Sequence, residues 1–262
     1  MNTTSHDESS WIRRFRPTPT DDDSDERVQL VCFPHAGGAA SSFLPLIRAL
    51  PDSIEPLALQ YPGRQDRYRE PLLDSIPALA DATYRALRPQ LGGRFAFFGH
   101  SLGAVLAFEV ARRFEQRTAT GPVRLFASAR RSPSVVRTEA VHLRDDAGLI
   151  AEMRRLSGTD RSVFEDEEIL RMTLPVLRAD YRAIETYAPP FGFRLTCPIT
   201  VLVGDADPVT SLTDAHAWSM HSAAETDVHV LPGGHFYLDA QTAPVAGLIT
   251  EALAPARPRV AG

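Results

Sequence analysis

The sequence has no lysine: all 28 of its basic residues are arginines. They are outnumbered by 33 acidic residues, so the formal net charge is −5, and this balance gives no sign of nucleic-acid binding. Two cysteines, Cys32 and Cys197, are too few for a disulfide framework and are expected to be packing residues. No apolar run approaches the roughly 20 residues that a membrane-spanning helix needs. We therefore expect neither nucleic acid nor a membrane as a partner.

The organisation of the chain predicts one α/β domain. Strand-like runs alternate with helical ones over residues 27–254, which is typical of a mostly parallel sheet flanked by helices. Residues 1–26 are polar and lack the apolar centre of a secretory signal, so we expect a partly flexible segment on a cytoplasmic protein. Residues 255–262 are expected to form a tail. With no metal-ligand spacing and no exposed apolar stripe, we expect a monomer without metal or organic cofactor.

One pentapeptide, Gly-His-Ser-Leu-Gly around Ser101, stands between two segments of different periodicity. Residues 94–98 are typical of a buried strand, and residues 104–114 carry apolar side chains at helical spacing. G-x-S-x-G between a strand and a helix is the nucleophile elbow of the α/β-hydrolase fold. We therefore interpret Ser101 as a nucleophile, with a structural Gly/Ser-rich turn as the alternative.

Two later strand ends supply a base and an acid in the chain order of that fold, Ser then Asp or Glu then His. The run 199–203 ends in Gly-Asp-Ala-Asp-Pro, and the alternating run 228–231 ends in Pro-Gly-Gly-His. His235 is the candidate base. Asp207 is the candidate acid because it lies further out in its loop and precedes a proline. Asp205 is the competing acid and is expected to cap the turn through its own backbone.

Other histidines fit the role of base less well than His235. His100 lies inside the elbow, and its ring is expected to point away from the nucleophile. His229 is expected to be half exposed on a strand, and His216 and His221 to face solvent from a helix. Of these, only His235 has both the correct order and a flexible glycine loop.

A tetrahedral intermediate also needs donors for its negative charge, and in this fold these are two backbone N–H groups. One follows the nucleophile and belongs here to Leu102. The other comes from the loop after an early strand, here residues 28–33, which run into Pro-His-Ala-Gly-Gly-Ala. That loop is similar to the H-G-G-G loop, and Ala36 is the candidate second donor. The alternative is an ordinary Gly-rich turn.

Several segments together resemble the type II thioesterases, the free-standing editing thioesterases of polyketide and nonribosomal peptide synthases. The resemblance runs from about Trp11 to Leu253. Its most specific parts are Pro-His-Ala-Gly-Gly, which ends at Gly38, and Tyr-Pro-Gly-Arg, which ends at Arg64. The other matching segments are Trp11–Pro17, Phe98–Ala104 and Gly234–Leu238.

The resemblance implies a serine thioesterase that acts through an acyl-serine. Its triad falls on Ser101, Asp207 and His235, and its oxyanion donors fall on Ala36 and Leu102. The implied partner is an acyl or peptidyl carrier protein bearing an acyl-phosphopantetheine, and the implied reaction is removal of aberrant or stalled acyl groups by hydrolysis. Neither a metal nor an organic cofactor is implied.

Carrier proteins of this kind are typically acidic, and arginine pairs bidentately with phosphate and carboxylate. Arg64, Arg67 and Arg69 are therefore the first candidates for docking the carrier, and Arg130 and Arg131 the second. The alternative for each is solvated surface charge.

Residues 130–195 are far more than one crossover helix needs, and we interpret them as a lid inserted over the active site. A short helix is expected over 147–156, and a longer one is expected to begin at 164, with a proline at position 175 that should kink it. Met172 and Tyr181 could line an acyl chamber. The alternative is an ordinary amphipathic helix on the core.

Three other functions use the same residues. A general carboxylesterase or lipase would cleave an oxygen ester, and an acyltransferase or cyclising thioesterase would admit an amine or alcohol instead of water. A catalytically silent hydrolase-fold binding protein is the third, and an intact triad argues against it.

Overall fold

The computed structural model describes residues 10–16, 27–118, 120–157 and 167–255. Its strands form a seven-stranded sheet in the order β1-β3-β2-β4-β5-β6-β7. Strand β1 runs antiparallel to β3, and the other neighbouring pairs are parallel, which confirms the predicted fold class. The strands are β1 (Ile12–Arg13), β2 (Val28–Phe33), β3 (Ile54–Leu59), β4 (Phe95–His100), β5 (Leu125–Ser128), β6 (Ile199–Gly204) and β7 (Thr226–Leu231).

Helices cover both faces of the sheet. They are α1 (Leu44–Ala49), α2 (Ile76–Leu87), α3 (Leu102–Thr118), α4 (Asp146–Ser157), α5 (Glu167–Glu185), α6 (Leu212–His216) and α7 (Thr242–Leu253). The core forms two apolar clusters, one shared with α2 and α3 and the other with α1 and α7. Every residue of β4 and β6 is buried, because a parallel sheet covered on both faces has no solvent side. Within the described ranges, no helix is long and apolar enough to cross a bilayer.

Part of the segment expected to precede the domain belongs to it. Trp11 is 6% exposed, and Ile12 lies opposite Leu59 in the pairing of β1 with β3. The boundary predicted at residue 27 is therefore too late for residues 10–16. The sequence pattern missed this strand because two residues are too few to show alternation. The acidic run at 21–26 and the tail from 256 lie outside the described residues.

Strand β3 was not among the predicted strands, and the proline at position 56 weakens its strand pattern. Pro56 lies opposite Leu30 of β2. On the other side of β3, β1 pairs only with Ala58 and Leu59. Pro56 therefore occupies a position beyond β1, where a missing N–H breaks no pairing with that strand.

The connection from β5 to β6 carries α4 and α5. The predicted short helix at 147–156 is confirmed as α4, and the described part of the longer helix begins at Glu167; its expected start at 164 lies outside the described residues. The apolar stripe of α5 is only partly covered. Leu177 is 1% exposed, but Met172 is 53% exposed. The carboxyl half of α5 therefore packs on the body, and its amino half presents apolar surface.

Candidate active site

Ser101 lies between the last residue of β4 and the first of α3, in a turn that its neighbours force to be tight. Its φ is +56°, in the left-handed region that L residues rarely adopt. A Cβ on Gly99 would overlap the backbone of Gly103, and a Cβ on Gly103 would overlap the carbonyl of Phe33. Glycine at position 99 lets β4 and α3 approach closely, and glycine at position 103 lets α3 pass close to the end of β2. Ser101 itself is partly exposed.

The three residues predicted as nucleophile, base and acid form one chain of hydrogen bonds. His235 Nε2 lies 3.0 Å from Ser101 Oγ, and His235 Nδ1 lies 2.9 Å from Asp207 Oδ2. The second carboxylate oxygen of Asp207 accepts the Val209 N–H at 2.9 Å. The side chains of Asp207 and His235 are 0% and 3% exposed. The structure therefore brings the three together at the carboxyl edge of the sheet, which is where this fold delivers functional groups.

Asp205, the competing acid, takes no part in this chain. Its Oδ1 accepts the Gly233 N–H at 2.9 Å, and the side chain is exposed. The expectation that it caps its own turn was wrong, because its acceptor role is to the loop that carries His235. Both aspartates therefore hold the loop that carries His235. Asp205 accepts from the backbone N–H of Gly233, and Asp207 binds the imidazole of His235.

The amide groups of the loop after β2 differ in their hydrogen bonding. The Gly37 N–H donates to Asp180 Oδ2 at 2.7 Å, and the Ala40 N–H donates to Gln60 Oε1 at 2.9 Å. The Ala36 N–H has no acceptor within the part of the chain that the structure describes. An uncommitted donor beside the nucleophile is what an oxyanion hole requires.

Leu102 is the second predicted donor. It is the first residue of α3, and N–H groups in the first turn of a helix have no intrahelical acceptor. Ala36 and Leu102 line one small cavity together with Ser101 and His235. The structure therefore places Ala36 and Leu102 in the same cavity as Ser101 and His235.

Helices α4 and α5 wall this cavity, whose volume is about 50 Å³. Leu156 on α4 and Leu177 on α5 give it apolar surface, and Tyr181 lines it as predicted. Met172 does not line it; that side chain borders a neighbouring cavity of about 490 Å³ beside Arg64. The difference arises because Met172 lies two and a half turns before Tyr181 on α5.

Two further histidine rings lie close to His235, and the pattern of the sequence did not reveal this packing. The ring centroid of His100 lies 5.6 Å from that of His235, and His35 lies 5.9 Å from His100. Burial, followed by the nearby charge of His235, lowers the pKa of His35 to about 4 and the pKa of His100 well below its usual value. Both rings are therefore neutral at pH 7. The position of His35 two residues after β2 was the one signal that could have suggested that it lies near the site.

His100 is also held by a hydrogen bond to a neighbouring strand. Its Nδ1 lies 2.9 Å from Ser128 Oγ, and Ser128 Oγ lies 2.6 Å from the Tyr237 hydroxyl. All four side chains are buried. The ring of His100, expected to point away from the nucleophile, thus forms part of the packing behind the base.

His216, His221 and His229 divide between solvent and core. His216 is exposed and His229 is half buried, as predicted. His221 was expected to face solvent, but it is 7% exposed. Its ring lies 5.2 Å from that of Phe108, and its Nε2 accepts the Ser134 N–H at 3.3 Å. That prediction was wrong because the residues after α6 turn back onto the core.

The arginines singled out for carrier docking are mostly inside the protein. Arg64 and Arg67 are 6% and 3% exposed, and they pair with Asp180 and Glu70 respectively. Their prediction as docking residues was wrong, because buried guanidinium groups with carboxylate partners do not face a carrier. Of the three, Arg69 is exposed.

Arg130 and Arg131 line the cavity of Ser101 rather than the outer surface. Arg131 is 5% exposed and pairs with Glu139 at 2.7 Å. Burial lowers the pKa of Arg130 to about 10, so its guanidinium remains charged at neutral pH. These two arginines contribute to the polarity of the cavity.

The sheet is mostly parallel, Ser101 stands in an elbow, and helices are inserted after β5. Together with the buried His–Asp pair, these features define the protein as a member of the α/β-hydrolase fold class. Residues 28–253 match the thioesterase domain family. The chain belongs to the thioesterase family.

The matches to three relatives each cover at least 90% of this chain. It is 49% identical to a probable cadicidin biosynthesis thioesterase of Streptomyces griseus, over 94% of this chain and 67% of the relative. It is 48% identical to thioesterase PikA5 of Streptomyces venezuelae, over 90% and 82%. The solved structure of BorB, the type II thioesterase from the borrelidin biosynthetic cluster, has a TM-score of 0.86 at 46% identity and covers 94% of this chain and 98% of BorB. The resemblance to type II thioesterases of polyketide and nonribosomal peptide pathways is therefore confirmed.

Proposed function

We propose that the protein is a serine thioesterase that hydrolyses aberrant or stalled acyl groups from the phosphopantetheine arm of acyl or peptidyl carrier proteins. The observation that carries the proposal is the hydrogen-bonded chain from Ser101 through His235 to Asp207, at 3.0 and 2.9 Å. It lies in a cavity bordered by two candidate oxyanion donors, in a chain of the thioesterase family. The near full-length likeness to BorB supports the choice of carrier-bound substrates.

In the first half-reaction, Ser101 Oγ attacks the thioester carbonyl carbon while His235 Nε2 takes the hydroxyl proton. His235 becomes an imidazolium, and the carboxylate of Asp207 stabilises that charge through the bond to Nδ1. The carbonyl oxygen becomes an oxyanion that accepts from the N–H groups of Ala36 and Leu102. These donors are fixed before the reaction, so they cost no reorganisation when the charge forms.

Collapse of this intermediate breaks the carbon–sulfur bond. The pantetheine sulfur takes the proton from the His235 imidazolium and leaves as a thiol, which returns His235 to its neutral form. The acyl group remains on Ser101. Water then loses a proton to His235 and attacks the acyl carbon, the second intermediate collapses, and the Ser101 oxygen recovers its proton from the imidazolium.

Helices α4 and α5 form the lid in this proposal, and the cavity beneath them receives the acyl group. Its volume is about 50 Å³, and a second cavity of about 470 Å³ also borders His35 and Ala36. Apolar side chains such as Leu156, Leu177 and Ile184 would contact the chain. We further propose that the enzyme acts as a monomer in the cytoplasm on one carrier protein at a time.

The deciding experiment is intact-protein mass spectrometry of an acyl carrier protein loaded with acetyl, propionyl, hexanoyl or aminoacyl groups. Each is incubated with the wild-type protein or with Ser101→Ala, and a p-nitrophenyl ester serves for comparison. Loss of the acyl mass with retention of the phosphopantetheine arm, only with intact Ser101, is the expected result. Acyl carriers left intact alongside rapid cleavage of the simple ester would instead indicate a general esterase.

A silent binding protein is separated from both by an active-site label. A serine-directed fluorophosphonate should modify the wild-type protein and leave Ser101→Ala unlabelled, because only an activated serine hydroxyl reacts. A wild-type protein that takes up no label would overturn the assignment of Ser101 as nucleophile.

A further inference from the structure

One buried carboxylate joins the two motifs that distinguish this chain from a generic esterase. Asp180, on α5, is 1% exposed. Its Oδ2 accepts the Gly37 N–H at 2.7 Å and also binds the guanidinium of Arg64. Gly37 belongs to the Pro-His-Ala-Gly-Gly loop, and Arg64 ends the Tyr-Pro-Gly-Arg turn. Three segments that are distant in sequence thus meet at a single oxygen atom.

Helix α5 also contacts the loop sterically at the same glycine. Gly37 has a φ of +74°, and a Cβ there would lie 2.6 Å from the Leu177 side chain. Leu177 lies on α5 three residues before Asp180, so the two side chains share one face of the helix. Helix α5 therefore packs on the loop through Leu177 and accepts the Gly37 N–H through Asp180.

Arg64 is fixed by the turn that carries it. Its Nη1 donates to the Pro62 carbonyl at 2.9 Å, and its own carbonyl accepts from Gln60 Nε2 at 3.1 Å. Gln60 Oε1 in turn accepts the Ala40 N–H at 2.9 Å. The turn therefore holds the far end of the same loop and presents the guanidinium to Asp180.

The bond from Asp180 acts one residue away from the candidate oxyanion donor. The Gly37 N–H and the Ala36 carbonyl belong to one planar peptide unit, so a bond to that N–H restrains the orientation of Ala36. A charge-assisted hydrogen bond is roughly twice as strong as a neutral one. Because buried charges are stable only when paired, the guanidinium of Arg64 is what allows a carboxylate at this position.

We propose that Asp180, paired with Arg64, is a positioning residue that orients the Ala36 N–H for the oxyanion and makes that donor depend on docked helix α5. The inference rests on the proposed function, since it assigns Asp180 a part in the same reaction. It goes further, because it gives the Tyr-Pro-Gly-Arg turn a role in the chemistry without contact to the substrate. Movement of α5 away from the body would remove the acceptor of the Gly37 N–H and release the loop.

The test compares Asp180→Ala, Asp180→Asn and Arg64→Met with the wild-type protein. The matched control is Arg182→Gln, on the same helix, which breaks an exposed ion pair with Asp74 at 2.9 Å. For each variant, kcat and KM are measured on an acyl carrier protein, together with the affinity for two pantetheine analogues. One is a trifluoromethyl ketone, which forms an oxyanion with Ser101, and the other is the matching thioether, which has no carbonyl.

Removal of one oxyanion donor costs about 100- to 1000-fold in kcat, so loss of its support in Asp180→Ala should cost about 10- to 100-fold. The KM and the thioether affinity should change less than about 3-fold, because these do not depend on the oxyanion. Ketone affinity should fall in parallel with kcat. Arg64→Met should behave like Asp180→Ala, and Arg182→Gln should stay within about 2-fold of the wild type, as expected for an exposed ion pair.

Equal losses of ketone and thioether affinity, or a wild-type kcat in Asp180→Ala, would overturn the proposal. Asp180→Asn retains an oxygen for the Gly37 N–H and should lose less kcat than Asp180→Ala. If Asp180→Ala is insoluble, a wild-type kcat and ketone affinity in Arg64→Met would also overturn the proposal. A wild-type protein that leaves acyl carriers intact contradicts the proposed function instead. In that case the ratio of ketone to thioether affinity still decides whether Asp180 positions the oxyanion donor.

Discussion

Asp207 Oδ2 and His235 Nδ1 are 2.9 Å apart, and both side chains are buried. A carboxylate at this position requires the imidazole to carry a hydrogen on Nδ1, which leaves the lone pair of Nε2 towards Ser101. The Val209 N–H holds the other carboxylate oxygen at 2.9 Å. The orientation of the ring is therefore set by a group that is itself held in two places.

Replacement of the two neighbouring aspartates should separate their roles. Asp207→Asn should lower kcat about 10⁴-fold, because an amide favours the wrong tautomer of the histidine. Asp205→Asn is the matched control, since it retains an oxygen for the Gly233 N–H, and it should stay within a few fold of the wild type. Steady-state kinetics on one thioester substrate measures both. A larger loss in Asp205→Asn would transfer the acid role to Asp205.

The two glycines of the elbow should not tolerate a side chain. Gly99→Ala and Gly103→Ala would each bring a Cβ onto backbone atoms, and backbone cannot move aside as a flexible side chain can. We expect insoluble protein or a much lower Tm. Gly247→Ala on α7 is the control: a Cβ there meets nothing within 4 Å, and alanine is favoured over glycine in a helix by about 1 kcal/mol. A wild-type Tm in Gly103→Ala would contradict the packing described for the elbow.

The stability of the protein should fall with pH below about 6.5, in part through His35. Its pKa is lowered to about 4 by burial and by the charge of His235, so the unfolded chain binds a proton there before the folded protein does. Stability from this group is present above the unfolded pKa and is lost as the pH falls towards the folded one. His35→Phe keeps a ring but cannot be protonated, so its Tm should fall less between pH 7 and 5 than that of the wild type. His216→Phe, at an exposed position, should follow the wild type, and equal slopes for His35→Phe and wild type would contradict the prediction.

Neither cysteine should react in the native protein. Burial raises the pKa of Cys197 to about 12 and that of Cys32 further, and the thiolate is the reactive form. An aromatic disulfide reagent should therefore release no colour from the folded protein at pH 8 and two equivalents after denaturation. Rapid reaction of one thiol in the folded protein would mean that its surroundings open far more often than the packing suggests.

The elements that deliver the candidate residues could be predicted because their signals are local. Ser101 follows an apolar strand and precedes a helical pattern within a few residues, and His235 follows a strand in the same way. The parallel sheet then brings these strand ends to one edge without further information. Prediction failed where the signal was weak, as in β1, which is two residues long, and in β3, where Pro56 interrupts the strand pattern.

Arg64 illustrates what local pattern could not reveal. An arginine in a polar turn is most simply interpreted as surface charge, and that interpretation was wrong. Its carboxylate partner, Asp180, lies 116 positions later in the chain, on a helix whose docking depends on packing by Leu177. Hydrophobic periodicity relates residues a few positions apart, so it gives no signal for a pair this distant in the sequence.

The packing of His35 and His100 could not be predicted either. The local sequence around a histidine in a loop or an elbow is the same whether its ring is solvated or packed against other rings. Apolar runs, glycines and chain order were enough to predict an α/β-hydrolase, its strand-end loops and the residues now proposed to act there. The burial of Arg64, the bond from Asp180 to Gly37 and the packing behind His235 were decided only when distant segments came together. The physical reason is that strands and tight turns arise from neighbouring residues, whereas the pairing of a buried charge depends on whichever segment the fold places beside it.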